Sequence, residues 1–436
     1  MQVSVENTSA LERKMTVAVP AERVDNEVKN RLRSMAPKVK LAGFRPGKVP
    51  FKLVEKRYGQ QVRGEVIGEL VSSSFYEAVE QEKLRPAGMP KIETTRADAG
   101  EDLEFTATFE VYPEFEVQGV EDIAVERPVA EITEADVDAM IDRLRQQRVQ
   151  WQETERPAQD GDRVTVDFDG RMEGEPFEGG SGEDMTVVLG SGRMIEGFEE
   201  ALVGAKAGDT VTAELRFPED YHKEELAGKP VTFTLEVKKV EEPVLPELDD
   251  AFAASYGIEE GGMEAFRKDV RANMQRELDA ALKSQLKKQV MDGLLEKNTF
   301  EIPQSMIQAE AGRIAQQMNE QMRMRGGQLA EEMMFKPEQF LDEGRRRVAL
   351  GLILGELIRQ HEMKADPERV RAEVEKTAAA YDEPEEVVKW YYGDAERLGE
   401  VESMVIEDQV VDWVLERAQV TDKPMSFSEV VESQRS

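Results

Sequence analysis

The 436-residue chain has no cysteine and only two histidines, His222 and His361. The first absence excludes a disulfide framework and a thiol nucleophile. The second argues against histidine-based catalysis and His-rich metal sites, so no metal or cofactor is expected. Aromatic residues make up 6% of the chain and charged residues 34%. That is lean for one tightly packed enzyme and suits several domains, each with a modest core; the length points to roughly three. Long apolar runs are also missing. The longest, Val348 to Ile358, contains Glu356 and falls far short of the ~20 residues of a membrane span. Residues 1–20 carry scattered charges and no apolar stretch, so no secretory signal is expected. The expectation is a soluble, cytoplasmic protein with no membrane partner.

What is present reads as three textures. Met15, Val17 and Val19 alternate with polar or small residues, and Leu103, Phe105, Ala107, Phe109 and Val111 do the same. Period two predicts two strands able to pair. Between them Val24, Val28, Leu32 and Met35, then Val54, Tyr58, Val62, Leu70, Phe75 and Val79, follow helical spacing. From about 157 the chain turns glycine-rich, with alternating strands at 164–168, 211–217 and 231–237 and a short helix presenting Ile195, Phe198 and Leu202. A curved antiparallel sheet on one short helix leaves an apolar cleft. From Leu245 the pattern is helical. Met263, Phe266, Val270, Met274, Leu278, Leu282, Leu286, Val290 and Leu294 form a stripe stepping mostly by four. Steps of four overshoot the ~3.6-residue turn, so the stripe winds and meets several neighbours in succession. Pro303, Pro337, Pro367 and Pro384 stand where new helices could begin, and Gly326-Gly327 breaks one.

Charge singles out one stretch. From Lys29 to Arg63 there are eleven basic residues against one acid, Glu55, a net of +10 in a chain of −33. At its centre lies Gly43-Phe44-Arg45-Pro46-Gly47-Lys48-Val49-Pro50. Arg45-Pro46-Gly47-Lys48 has the composition of a type II turn, which brings its first and last Cα atoms within about 7 Å. Taken alone, Pro-Gly is ordinary turn punctuation. An exposed Phe44 flanked by cations on a positive island instead points to a polyanionic partner.

Gly-Phe-Arg-x-Gly-x-x-Pro is similar to the ribosome-docking signature of the bacterial trigger factor family, matched at every fixed position. With the order of segments, the chain resembles that family over essentially its whole length. Residues 157–243 resemble the FKBP-type prolyl isomerase domain. The landmarks are Val166-Asp167-Phe168-Asp169-Gly170, Pro176-Phe177-Glu178, Val188-Leu189-Gly190, Ile195-Glu196-Gly197-Phe198, Phe217-Pro218-Glu219-Asp220-Tyr221 and Phe233. The resemblance implies a fold class of α+β, multidomain: an α+β docking domain (1–112), a connecting segment (113–156), an FKBP-like antiparallel sheet with a short helix (157–243), and an all-α chaperone domain with projecting arms (244–436).

It also implies site residues. For ribosome binding these are Gly43, Phe44, Arg45, Pro46, Gly47, Lys48 and Pro50. For isomerisation Phe198 is the pocket floor, Ile195, Phe168, Phe177 and Phe233 are walls, Tyr221 offers a hydroxyl near the substrate carbonyl, and Glu178 is a polar rim group. Phe198 stands where many such domains carry Trp and Phe168 where many carry Tyr, which puts macrolide affinity in question. Met306, Met318, Met322, Met324, Met333 and Met334 suit an adaptable surface for unfolded chains.

The implied partners are the large ribosomal subunit at the exit tunnel (a ribosomal protein, with rRNA left open) and nascent or unfolded polypeptides. A monomer is expected on the ribosome and a homodimer is conceivable when free. Two other readings compete. One is a free prolyl isomerase whose N-terminal unit is only structural. The other is a general RNA-binding protein, disfavoured because one short patch sits in an acidic chain that repels long nucleic acids.

Overall fold

A computed structural model describes the chain except residues 40, 42, 43, 45–48, 222, 224, 325–333 and 434–436. Gly43, Arg45, Pro46, Gly47 and Lys48 of the basic turn therefore lie outside the described residues, as do Gly326-Gly327, Met333 and His222. In chain order the elements are β1 (Gln2–Asn7), β2 (Glu12–Val19), α1 (Ala21–Met35), α2 (Phe51–Gln81), β3 (Lys91–Arg96), β4 (Leu103–Glu110) and β5 (Ala124–Val129). There follow α3 (Glu134–Gln147), β6 (Gln150–Glu153), β7 (Arg163–Met172), β8 (Glu175–Val188), α4 (Phe198–Leu202), β9 (Thr210–Arg216) and β10 (Pro230–Val244). The remainder is α5 (Asp250–Ala254), α6 (Gly262–Lys297), α7 (Gln304–Met324), α8 (Leu341–Gln360), α9 (Pro367–Ala378), α10 (Pro384–Tyr392), α11 (Ala395–Leu415), β11 (Gln419–Pro424) and α12 (Phe427–Glu432). Contacts divide the chain into two compact units, residues 1–127 with 284–423, and residues 128–283 with 424–436.

In the first unit, β2 and β4 pair antiparallel with Met15 opposite Ala107 and Val17 opposite Phe105. This register puts the alternating apolar residues of both strands on one face, where α1 and α2 cover them. β1 and β3 extend the sheet in the order β1-β2-β4-β3; Val3 and Val5 of β1 alternate with exposed residues and pack against the core, whereas β3 lies largely on the surface. Pro50 occupies the N-cap of α2, one residue before its first helical residue, Phe51. The long helical elements of this unit share a second core, in which Val290 and Leu294 of α6 meet Ile123, Ile353, Leu357 and Val410.

Two buried or half-buried amides lace the segment after β4 to α6. Asn298 accepts from the Gln118 N–H at 2.9 Å and donates to the Gln118 carbonyl at 3.2 Å. Gln289 does the same for Glu126, with both distances 2.8 Å. Each side chain thus completes a backbone pair that no neighbouring strand supplies. Glu110, at the end of β4, caps α7 by accepting from the Gln304 and Ser305 N–H groups at 2.9 and 2.7 Å. The helical region also contains a strand that its periodicity does not announce: β11 pairs with β5.

In the second unit, β6 to β10 form a five-stranded sheet, in the order β6-β10-β7-β8 with β9 on β10. Its core includes Val164, Val166, Leu189, Phe198, Leu202, Leu235 and Val237. A separate helical core joins Val137 and Ile141 of α3 to Phe252, Phe266, Val270, Met274, Leu278 and Phe427. Thr133 caps α3, with Asp136 returning the hydrogen bond as a capping box. Helix α6 therefore spends its first half in this core and its second half in the other unit's core. That is the handover the winding stripe predicts. Among the described residues no helix is long and apolar enough to cross a membrane.

Candidate functional site

The sheet of the second unit curls over α4 and encloses a cleft of about 300 Å³. Phe168, Phe177, Glu178, Ile195, Phe198, Tyr221 and Phe233 all line it, so the structure gathers every residue singled out for the isomerase site. They come from β7, β8, the loop before α4, α4 itself, the loop after β9, and β10. Phe198 is 1% exposed and forms the base. Its ring meets Phe233 edge-on, centroids 5.5 Å apart at 77°, and Phe233 leans against Phe168 at 6.1 Å. Edge-to-face contacts of this kind fix ring orientation as well as burying area.

Glycines make room for these rings. A Cβ on Gly170 would lie 2.5 Å from the Phe233 ring, and one on Gly182 would lie 2.7 Å from the Phe168 ring. The glycine-rich texture of the stretch is therefore partly a packing requirement. Glu178 and Lys223 are exposed at the rim. Sequence reasoning passed over Phe217, Met185, Met194, Leu226 and Lys223 as lining residues. Phe217 is the largest omission: it is buried, stands 4.7 Å from the Tyr221 ring and meets Phe177 edge-on at 6.0 Å. Its place beside Pro218 in a landmark string was the available signal.

One buried carboxylate lies under the cleft wall. Glu199 accepts hydrogen bonds from the Ser191 hydroxyl at 2.9 Å and from the N–H groups of Gly192, Arg193 and Met194 at 3.1, 3.0 and 3.2 Å. Burial pushes its carboxyl up, but these four donors outweigh that and hold it below the usual carboxylate range. Outside the cleft, Lys238 bridges Asp167 at 2.7 Å and Asp184 at 2.8 Å, and these bonds raise its pKa.

On either side of residues 40–48 in the sequence, Val39 and Val49 are buried in the core of the first unit. Phe44 is 40% exposed, and its N–H donates to the Leu41 carbonyl at 3.1 Å. The eleven cations of the island divide. Arg31 pairs with Glu69, and Arg63 pairs with Asp25 at 3.1 Å. Lys29, Arg33, Lys38, Lys52, Lys56 and Arg57 are exposed and form no ion pair among the described residues. Lys40, Arg45 and Lys48 fall outside those residues.

Three family models match the chain: "Bacterial trigger factor protein (TF)" over residues 1–144, "FKBP-type peptidyl-prolyl cis-trans isomerase" over 154–238, and "Bacterial trigger factor protein (TF) C-terminus" over 262–416. Proteins named trigger factor from Pseudomonas putida F1 and Pseudomonas aeruginosa PAO1 are each 51% identical over 431 residues, spanning 99% of this chain and 98% of theirs. One from Azotobacter vinelandii is 50% identical over the same spans. A solved structure described as "Promiscuous Substrate Recognition in Folding and Assembly Activities of the Trigger Factor Chaperone" aligns with a TM-score of 0.50 at 20% identity. It covers 95% of this chain and 99% of that one, a likeness of fold.

Proposed function

The chain belongs to the bacterial trigger factor family, and on that premise we propose which of its residues serve each activity. It is a ribosome-associated molecular chaperone that carries an FKBP-type peptidyl-prolyl cis-trans isomerase and binds nascent chains. We assign docking to residues 1–112, connection to 113–156, isomerisation to 157–243 and the holding of unfolded chains to 244–436.

Isomerisation needs no nucleophile, metal or titrating base. Its barrier of ~18–20 kcal/mol is the resonance that a planar amide loses on twisting. A twisted amide is less polar than a planar one, so a dry, apolar cleft stabilises it selectively, and that selectivity is catalysis. Phe198 is the floor on which the proline ring sits, with Phe168, Phe177, Ile195 and Phe233 as walls. Tyr221 offers its hydroxyl to the carbonyl before the proline, and Glu178 faces the peptide from the rim. The observation that carries this reading is the convergence of all seven on one cleft of about 300 Å³.

Docking rests on Phe44 and Arg45 with Gly43, Pro46, Gly47, Lys48 and Pro50. The contact is a ribosomal protein at the exit tunnel, with rRNA phosphates taken by the exposed unpaired cations. What supports this is an exposed aromatic next to six cations without a salt-bridge partner among the described residues. Methionines 318, 322 and 324, exposed along α7, supply an adaptable apolar surface. Residence in the cytoplasm, a monomer on the ribosome and a homodimer in the free state complete the proposal. Phe44→Ala combined with Arg45→Ala should abolish co-sedimentation with the large ribosomal subunit while peptide isomerisation continues. A double variant that still pellets with ribosomes defeats the docking assignment.

A further inference from the structure

The wall of the cleft at Met194 and Ile195 belongs to a loop between β8 and α4. Gly192 and Gly197, at φ of 64° and 85°, leave that loop's backbone with little conformational preference of its own. The N–H groups of Gly192, Arg193 and Met194 find their acceptor in one side chain, the carboxylate of Glu199, which also takes the Ser191 hydroxyl. Glu199 is 8% exposed and sits on α4 directly after Phe198. We propose that Glu199 is a positioning residue of the isomerase: it holds residues 191–194 around its carboxylate and thereby sets Met194 and Ile195 on the cleft wall at a fixed distance from the Phe198 floor. This inference rests on the reading of the cleft as the isomerase site.

The chemistry requires a carboxylate. One oxygen of Glu199 accepts from Ser191, Arg193 and Met194, and the other accepts from Gly192. A glutamine offers one acceptor oxygen and one NH2, so in either orientation a donor would face a donor. At least one of these part-buried N–H groups would then lose its partner. The loop would relax outward, because no other side chain among the described residues takes those three amides. Met194 and Ile195 touch the proline whether its amide is planar or twisted. Their displacement therefore weakens ground state and transition state alike and appears in KM, not in kcat.

The test is steady-state kinetics of X-Pro peptide isomerisation on the full chain. Glu199→Gln and Glu199→Ala should raise KM about tenfold and leave kcat within about twofold of the parent. Hydrogen exchange at the amides of residues 192–194 should accelerate together. Glu200→Ala, at the exposed neighbouring position, should leave both constants unchanged. The proposal is overturned if KM stays within about twofold of the parent, or if kcat falls at constant KM, which marks a contact made only in the transition state or a smaller folded fraction. Should Glu199→Ala not fold, the isosteric Glu199→Gln decides. Phe198→Ala reports separately on the cleft. If it leaves isomerisation intact, the cleft reading fails; if it abolishes isomerisation while Glu199→Gln keeps KM, only the positioning role fails.

Discussion

Two phenylalanines mark the two proposed sites, and their surroundings are opposite. Phe198 is 1% exposed, at the bottom of a cleft assembled from residues between 168 and 233. Phe44 is 40% exposed, within the stretch of eight consecutive residues 43–50 that lies in the sequence between α1 and α2. One site is made by packing, so its function and the stability of its domain depend on the same contacts. The other, proposed for docking, is contiguous in sequence and flanked by Val39 and Val49, which are buried in the core of the first unit, so on this reading its side chains can change while the fold persists. A catalytic pocket that works by excluding water has to be paid for in packing; a docking turn does not.

The largest expected effect tests that separation directly. Phe198→Ala should cost about 3–5 kcal/mol of stability, as large aromatic truncations in cores do, and should abolish catalysed isomerisation. Phe44→Ala should stay within about 0.5 kcal/mol of the parent. Urea denaturation of the two variants compares them, and a comparable loss at Phe44 would erase the distinction.

A smaller effect sharpens the packing half. Gly170→Ala places a methyl group 2.5 Å from the Phe233 ring. It should cost about 1–3 kcal/mol by overpacking and lower kcat/KM by displacing that wall. Unchanged kinetics would mean that the ring moves freely and that the cleft is less tightly fixed than its contacts imply.

The smallest stability effect belongs to the surface cations. Lys52→Ala with Lys56→Ala and Arg57→Ala removes exposed charges that form no ion pair among the described residues, so folding stability should hold. Ribosome affinity should nonetheless fall, and if the three meet RNA phosphates, the slope of log affinity against log salt should flatten by about 2. An unaltered slope would confine docking to the turn and a protein partner.

Much of the architecture was legible in order of locality. Period-two runs at 15–19 and 103–111 announced β2 and β4. The stripe from Met263 to Leu294 announced a long helix that changes neighbours. The cleft residues were legible because five short strings kept a familiar order, not because any single aromatic looked catalytic. Phe217 and Met194 were passed over because an apolar residue in a strand or loop reads as core until its neighbours are known. β11 and the reciprocal amide pairs at Gln289 and Asn298 leave no local trace, since their partners lie about 160 to 300 residues away in sequence.

By itself the sequence determined where charge, turns and periodic apolar faces fall, because those follow from side-chain chemistry at fixed spacing along the backbone. It therefore marked Phe44 and Arg45 as a basic turn and the stretch from 157 to 243 as a sheet with one short helix. Only the tertiary structure decided that Arg31 and Arg63 are occupied in ion pairs while Lys52, Lys56 and Arg57 form none among the described residues. It alone decided that Glu199, one acid among 90 Asp and Glu residues, is buried against four donors beneath the cleft. The reason is physical: whether a charge is solvated, paired or enclosed depends on what the rest of the chain brings to it, and no spacing along the sequence encodes that company.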